Sequence, residues 1–349
     1  MAEAAPDAVR AYGRLLRRRR WLMAALAAAA CAALAADAAL GPAGLTLADL
    51  WRTLLQPGAA DTAARVIVWD IRLPQAAMAA IVGMALGLAG AEMQTILNNP
   101  LASPFTLGVS SAAALGASLA IVLHVGVPGV AAPWLVPLYA FLFAALAGLL
   151  LDQVARRRAI GAPAIVLFGI ALVFTFNALI SLIQFTASAQ ALQNLVFWTM
   201  GSMARADWAS VGILALACAL ALPLALRHAW RLTALRLGET RAASFGVDVR
   251  RLRLAALCRI SLLAALAVAF AGTIGFIGLV APHIARRLFG EDHRFYLPGS
   301  ALTGALILSL AASVSKSLVP GVIVPVGIVT SLVGIPFFVA VLLRRPQSL

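Results

Sequence analysis

The sequence predicts an all-α integral membrane protein with about ten transmembrane helices, and three observations point there. Hydrophobic residues make up 63% of the chain and charged residues 11%, whereas a soluble domain is nearer half apolar and a quarter charged. Apolar runs of about the twenty residues a bilayer requires recur along the whole length. Between them the arginines gather in clusters, as topogenic loops do.

Taken in order, residues 1–20 read as a polar cytoplasmic tail ending in Arg17, Arg18, Arg19 and Arg20. The apolar run from Trp21 to Leu40 is long for a signal-peptide core and is followed by many further spans, so it reads as the first transmembrane helix. Residues 41–72 are mixed and amphipathic, which suits an external layer lying on the bilayer. Further spans are expected near 74–97, 107–125, 132–154, 161–185, 209–226, 254–271, 295–317 and 325–343, with a shorter element at 274–286. Residues 21–345 thus form one transmembrane domain with both termini cytoplasmic. Gly83 and Gly87, four apart, allow close helix approach in lipid. The glycines at 272, 275 and 278 predict a tight, irregular entry into the short element, since no strand precedes them to make a nucleotide fingerprint.

The net charge of +14 does not indicate nucleic acid. Of 26 arginines and one lysine, five (Arg52, Arg65, Arg72, Arg205, Lys316) fall outside the tails and the loops placed inside. The charge therefore reads as topogenic. Cys31, Cys218 and Cys258 lie in or beside apolar runs with no metal-ligand spacing and read as packing residues.

One polar island, Arg227 to Arg253, interrupts the hydrocarbon and carries seven arginines. Its charge places it in the cytoplasm. Within it, Leu237 to Gly246 reads as one short helix: Gly238 caps its start, Glu239 faces the positive end of its dipole, and Gly246 supplies a left-handed finish. A helix of about eight residues is marginal alone. Small residues at Ala242 and Ala243 leave room for a partner, so this is read as a docking helix for a cytosolic subunit.

A phosphate-cradling Gly-x-x-x-x-Gly-Lys-[Ser/Thr] loop is missing, because the sole lysine, Lys316, follows Ala-Ala-Ser-Val-Ser. Energy for uphill transport must come from a partner or an ion gradient. For a gradient, the candidate is Glu92, close to the inner end of the second span, with Asp37 and Asp152 near other span ends. Glu92 either bonds a neighbouring helix or serves a stand-alone proton-coupled carrier, which is the alternative function. His283 and the Glu291-Asp292-His293 cluster lack metal-site spacing, and no nucleophile–base set is evident. Arg72 and Lys316, at the outer ends of their spans, either snorkel or meet acidic groups on an external partner.

Together the motifs resemble the FecCD-type permease family, the membrane subunits of ATP-binding-cassette importers for ferric siderophores, haem and vitamin B12. The resemblance runs from about residue 45 to 345. It rests on Ile71-Arg72-Leu73-Pro74, Gly90-Ala91-Glu92-Met93-Gln94, Asn99-Pro100 through Ser110, and Trp198-Thr199-Met200-Gly201. It continues in Leu237-Gly238-Glu239, Gly275 through His283, Asp292-His293-Arg294 and Pro325 through Thr330. The resemblance implies a BtuC-like permease bundle, a homodimer with its path at the dimer axis, two cytosolic ATPase subunits below and a periplasmic binding protein above. It implies no cofactor and no catalytic residue in this chain, ATP and magnesium belonging to the ATPase.

Residue by residue, it makes Leu237, Gly238, Glu239, Ala242, Ala243 and Gly246 the ATPase-coupling helix within 227–253, and Arg72 and Lys316 the binding-protein contacts. Asn99, Pro100, Gly161, His283, Asp292 and Arg294 would line the cytoplasmic gate region. Trp198, Arg205 and Trp208 are the candidate external mouth. The expected cargo is an iron chelate, ferric siderophore before haem before cobalamin, crossing a bacterial inner membrane. The sequence departs from the family at Gln75, Ala312, Lys316 and Ile323, where arginine, aspartate, arginine and glutamate are common, which reduces the docking set.

Overall fold

The computed structural model describes residues 4–41, 46–56, 58, 61–155 and 162–343. Gly161 and the Arg156–Arg158 cluster lie outside the described residues. Helix α1 runs unbroken over Ala4–Ala39, so the arginine cluster at its middle belongs to the same rod as the apolar run that follows. The expected non-spanning tail is therefore helical.

Helix α2 (Leu47–Leu55) opens on a capping box in which Thr46 and Asp49 satisfy each other's backbone donors. Helix α3 (Thr62–Arg65) passes through a π-helical turn, Val66–Arg72, into α4 (Leu73–Ile96). The three form one apolar span, Thr62–Ile96. The second half of the expected surface layer is thus the head of a membrane helix.

Beyond it come α5 (Val109–Val122), α6 (Ala132–Ala155), α7 (Ala162–Phe185), α8 (Ala189–Thr199) and α9 (Trp208–Arg227). The polar island folds as α10 (Ala229–Leu235) and α11 (Glu239–Ser244). Helices α12 (Val249–Ala271), α13 (Ile277–Phe289), α14 (His293–Ser317) and α15 (Val326–Leu343) complete the chain.

Seven helices among the described residues, rather than about ten, are long and apolar enough to cross a membrane. The predicted elements near 107–125, 274–286 and 325–343 are present but short. At about 1.5 Å per residue, the 14 residues of α5 and the 13 of α13 fall well below the roughly 30 Å of hydrocarbon. The element near 274–286 was expected to be short and is, at Ile277–Phe289. The one near 107–125 looked like a span by apolar composition but runs only from Val109 to Val122, between the positive-φ residues Gly108 and His124.

Helix α4 is the axle of the bundle. In its most apolar window 83% of residues are buried, against 28% in α1, α6 and α7. It packs on α14, α12, α13 and α9, while α5 packs on α6 and α7. Small residues make the central crossing: a Cβ on Gly83 would overlap the Gly304 carbonyl, and one on Gly304 would overlap the Gly83 carbonyl. One turn on, a Cβ on Gly87 would meet Ser300 O. Backbones this close replace the hydrophobic drive that lipid does not supply.

The predicted irregular entry is observed at 272–276, where Gly272 and Phe276 both have positive φ. Protein packs on this stretch, as irregular backbone at membrane depth requires: a Cβ on Gly272 would overlap Trp198 O, and the Ala271 carbonyl just before it accepts from Ser202 N at 2.7 Å. Of the three cysteines, Cys218 is buried and Cys31 and Cys258 are exposed on this single chain.

Candidate functional site

Chain direction brings the C-terminal ends of α4 and α9 together with the N-terminal ends of α12 and α14, forming one polar, arginine-rich face. Helix α11 stands on it. Gly238 (φ +103°) and Gly246 (φ +79°) bound the helix in conformations that a side chain rarely adopts. At the C-terminus Val247 N donates to Ala242 O at 3.1 Å and Gly246 N to Ala243 O at 2.9 Å. That double bond pattern is a Schellman finish.

Ala242 is fully buried against the chain itself, so the room expected there for a partner is already filled. Ala243 is exposed, and Leu237 and Phe245 flank the helix as exposed apolar residues. Glu239 pairs with Arg253, and Arg253 Nε also donates to Ile96 O at 3.1 Å.

Beside α11 lies an ion-pair network. Arg236 meets Asn98 Oδ1 at 2.7 Å and Glu291 at 3.0 Å. Arg286 meets Glu291 at 3.2 Å and donates to the Tyr296 hydroxyl at 3.0 Å. His293 is buried between two hydroxyls, Thr95 at 2.8 Å and Thr233 at 3.0 Å. Asp292 caps α14 and pairs with Arg294 at 2.8 Å and Arg19 at 3.3 Å. Burial alone would raise the Asp292 carboxyl, but Arg294 and Arg19 outweigh it and hold it below the usual carboxylate range.

The expected gate residues are therefore only partly assembled. Asp292 and Arg294 sit together. Asn99 and Pro100 lie in the loop after α4, with Asn99 Oδ1 accepting from Leu101 N at 2.9 Å. His283 stands apart on α13, edge-on to the Phe337 ring at 5.8 Å.

Glu92 has the partner that sequence reasoning missed. It is fully buried on α4, and Arg259 Nε on α12 lies 3.1 Å from each carboxylate oxygen. A second guanidinium nitrogen closes the fork on Oε1. The signal was available: an arginine about five residues inside an apolar run has to find an acid at its own depth.

At the opposite end, Arg72 and Lys316 both turn inward. Lys316 is buried and pairs with Asp37 at 2.9 Å, while Arg72 donates to Ala39 O at 2.9 Å and Gly41 O at 3.2 Å. Both cations are turned inward onto α1 because burial leaves an unpaired charge too costly. Neither presents its charge outside.

The same end holds a cavity of about 430 Å³ walled by Trp134, Phe197, Trp198 and Phe270 with Arg205 and Asp207. Two of the three candidate mouth residues, Trp198 and Arg205, line it. Trp208 stands beside it at the head of α9, its Nε1 donating to Trp69 O at 2.8 Å. A walled space with aromatic faces and one guanidinium suits a ligand with both apolar and polar surface.

Known proteins share this architecture. The chain is 36% identical to the hemin transport system permease protein HmuU of Yersinia pestis over 316 residues, covering 89% of this chain and 92% of that protein. It is 35% identical to the vitamin B12 import system permease protein BtuC of Vibrio cholerae serotype O1 over 306 residues, covering 87% and 90%. Among solved structures it is similar to an inward-facing metal-chelate type ABC transporter, with a TM-score of 0.80 and 28% identity over 93% of this chain and 99% of that one. The fold is that of the all-α, BtuC-like ABC permeases. With residues 11–344 matching its family model, the chain belongs to the FecCD transport family.

Proposed function

We propose that this chain is the permease subunit of an ATP-binding-cassette importer for an iron chelate in a bacterial inner membrane. The observation that carries the reading is the family match over residues 11–344. Permease subunits of this family are non-catalytic transport components. Relatives named for hemin and vitamin B12 support a large chelate as cargo. Ferric siderophore is the first choice, haem the second and cobalamin the third, an order supported by the resemblance of residues 98–108 to siderophore permeases.

In the proposed assembly two copies of the chain enclose the path, with both termini cytoplasmic. Two ATPase subunits, holding ATP and magnesium, seat α11 through its exposed residues: Glu239, Ala243 and the flanking Leu237 and Phe245. A binding protein delivers cargo at the far end, where Trp198 and Arg205 receive it. Closure of the ATPase pair moves α11 and alternates the opening of the path. The carrier alternative loses its basis at Glu92, whose carboxylate is fully buried and gripped by Arg259.

The test is ATP-dependent uptake in proteoliposomes containing the chain, its cognate ATPase and its binding protein. Radio-iron siderophore, haem and cobalamin are offered in parallel. Uptake of one chelate that needs both partners is the expected result. Accumulation driven by a pH gradient without the ATPase overturns the reading.

A further inference from the structure

We propose that Arg253 is a strut that carries displacement of α11 into the α4–α12 pair, making it a positioning residue for transport. The proposal rests on the docking role given to α11 above. Arg253 lies in the second turn of α12, with its side chain only 13% exposed. Its Nη2 meets Glu239 Oε1 at 2.5 Å, on the first residue of α11. Its Nε donates to the carbonyl of Ile96 at 3.1 Å, on the last residue of α4. That carbonyl is one of the acceptors every helix end leaves without an internal partner.

One guanidinium therefore joins three helices. Its donors lie in a fixed plane, so two acceptors are held in a set relation, which the single point charge of a lysine does not enforce. Six residues further along α12, Arg259 grips Glu92, which lies four residues before Ile96. The two arginines and their two acceptors run antiparallel and pin α4 to α12 at two depths. A push on Arg253 then turns both helices together.

Helix α11 has little other purchase. Among its six residues only Ala242 is buried. Load reaches the membrane through that one methyl group, the covalent chain and Arg253.

The experiment uses the chain assembled with its cognate ATPase and binding protein in proteoliposomes. Radio-iron is supplied as haemin and as a hydroxamate siderophore. Arg253→Met, Arg253→Lys and the swap Glu239→Arg/Arg253→Glu are compared with wild type. Copurification of the ATPase reports docking, and uptake per ATP hydrolysed reports transmission. The expected result for Arg253→Met is retained ATPase and a fall of about tenfold in uptake per ATP, within the range of ordinary coupling energies.

The swap keeps an ion pair between positions 239 and 253 but leaves Ile96 O without its donor, so it is expected to stay impaired. Arg253→Lys is expected to fall between. Unchanged uptake per ATP in Arg253→Met, or full recovery in the swap, overturns the strut. Should Arg253→Met fail to fold, Arg253→Lys and the swap decide the matter. A wild-type chain that binds no ATPase removes the docking reading itself, and the strut with it.

Discussion

Glu92 and Arg259 face each other across the antiparallel contact of α4 and α12, with the guanidinium fork closed on both carboxylate oxygens. Removing one partner strands the other charge in a dry interior. Glu92→Gln is expected to cost about 3–5 kcal/mol, and Glu92→Gln/Arg259→Met together distinctly less. Thermal unfolding in detergent measures both. A single substitution no worse than the double one refutes the buried-pair account.

The Gly83–Gly304 crossing has no room for a methyl group on either side. Gly83→Ala is expected to spread α4 from α14 and to cost about 1–3 kcal/mol, the range for overpacked cores. Gly212, where an added Cβ meets nothing, is the control. Gly212→Ala should unfold at the wild-type temperature.

Lys316 is tied to Asp37 rather than offered outward. Lys316→Met is accordingly expected to lower stability by about 3–5 kcal/mol. The association rate of the binding protein with the surviving folded fraction should not change, and stopped-flow binding at two salt concentrations checks this. A slowed, salt-sensitive association with unchanged stability contradicts the inward geometry.

Asp292 gives a pH dependence of defined sign. Its carboxyl lies below its ordinary range in the folded chain. Such a group stabilises above its unfolded pKa and loses that contribution as pH falls through the lower folded value. Stability from this site is thus expected to be flat between pH 5 and 8 and to decline below about pH 4. Asp292→Asn keeps the helix cap, since asparagine accepts there as well as aspartate, but loses the pairing with Arg294 and Arg19. It should cost up to about 1 kcal/mol at neutral pH and should shed this part of the acid sensitivity.

Glu239→Arg places a second cation beside Arg253 and reverses the charge that α11 exposes. It is expected to break the link between ATP hydrolysis and uptake while leaving the membrane bundle folded. Normal uptake by this variant, measured in the reconstituted system, removes α11 from the coupling role.

Local chemistry was legible in the sequence where it is self-contained. Gly238, Glu239 and Gly246 mark the two ends of α11 without outside help, and Gly83 and Gly87 announce a close helix crossing. What escaped was long-range. Arg72 and Lys316 look alike from the sequence whether they face water or turn inward. Their acceptors, Asp37, Ala39 and Gly41, lie more than thirty residues away or at the far end of the chain. Arg259 was hidden by its distance from Glu92, a separation of 167 residues. Span length failed at α5 for a different reason: hydropathy does not show that left-handed residues, Gly108 before it and His124 after it, hold the helix to 14 residues.

The Asp37–Lys316 pair joins α1 to α14 across 279 residues of chain. A ribosome adding about 5–20 residues per second needs on the order of tens of seconds to cover that interval. For most of it Asp37 has left the exit tunnel and its countercharge has not been made. The carboxyl must wait protonated, hydrated at the bilayer surface, or sheltered by the insertion machinery. Biogenesis of this chain therefore ends with a clasp: its first helix is secured when α14 arrives, and a truncated product leaves Asp37 without the lysine that pairs with it.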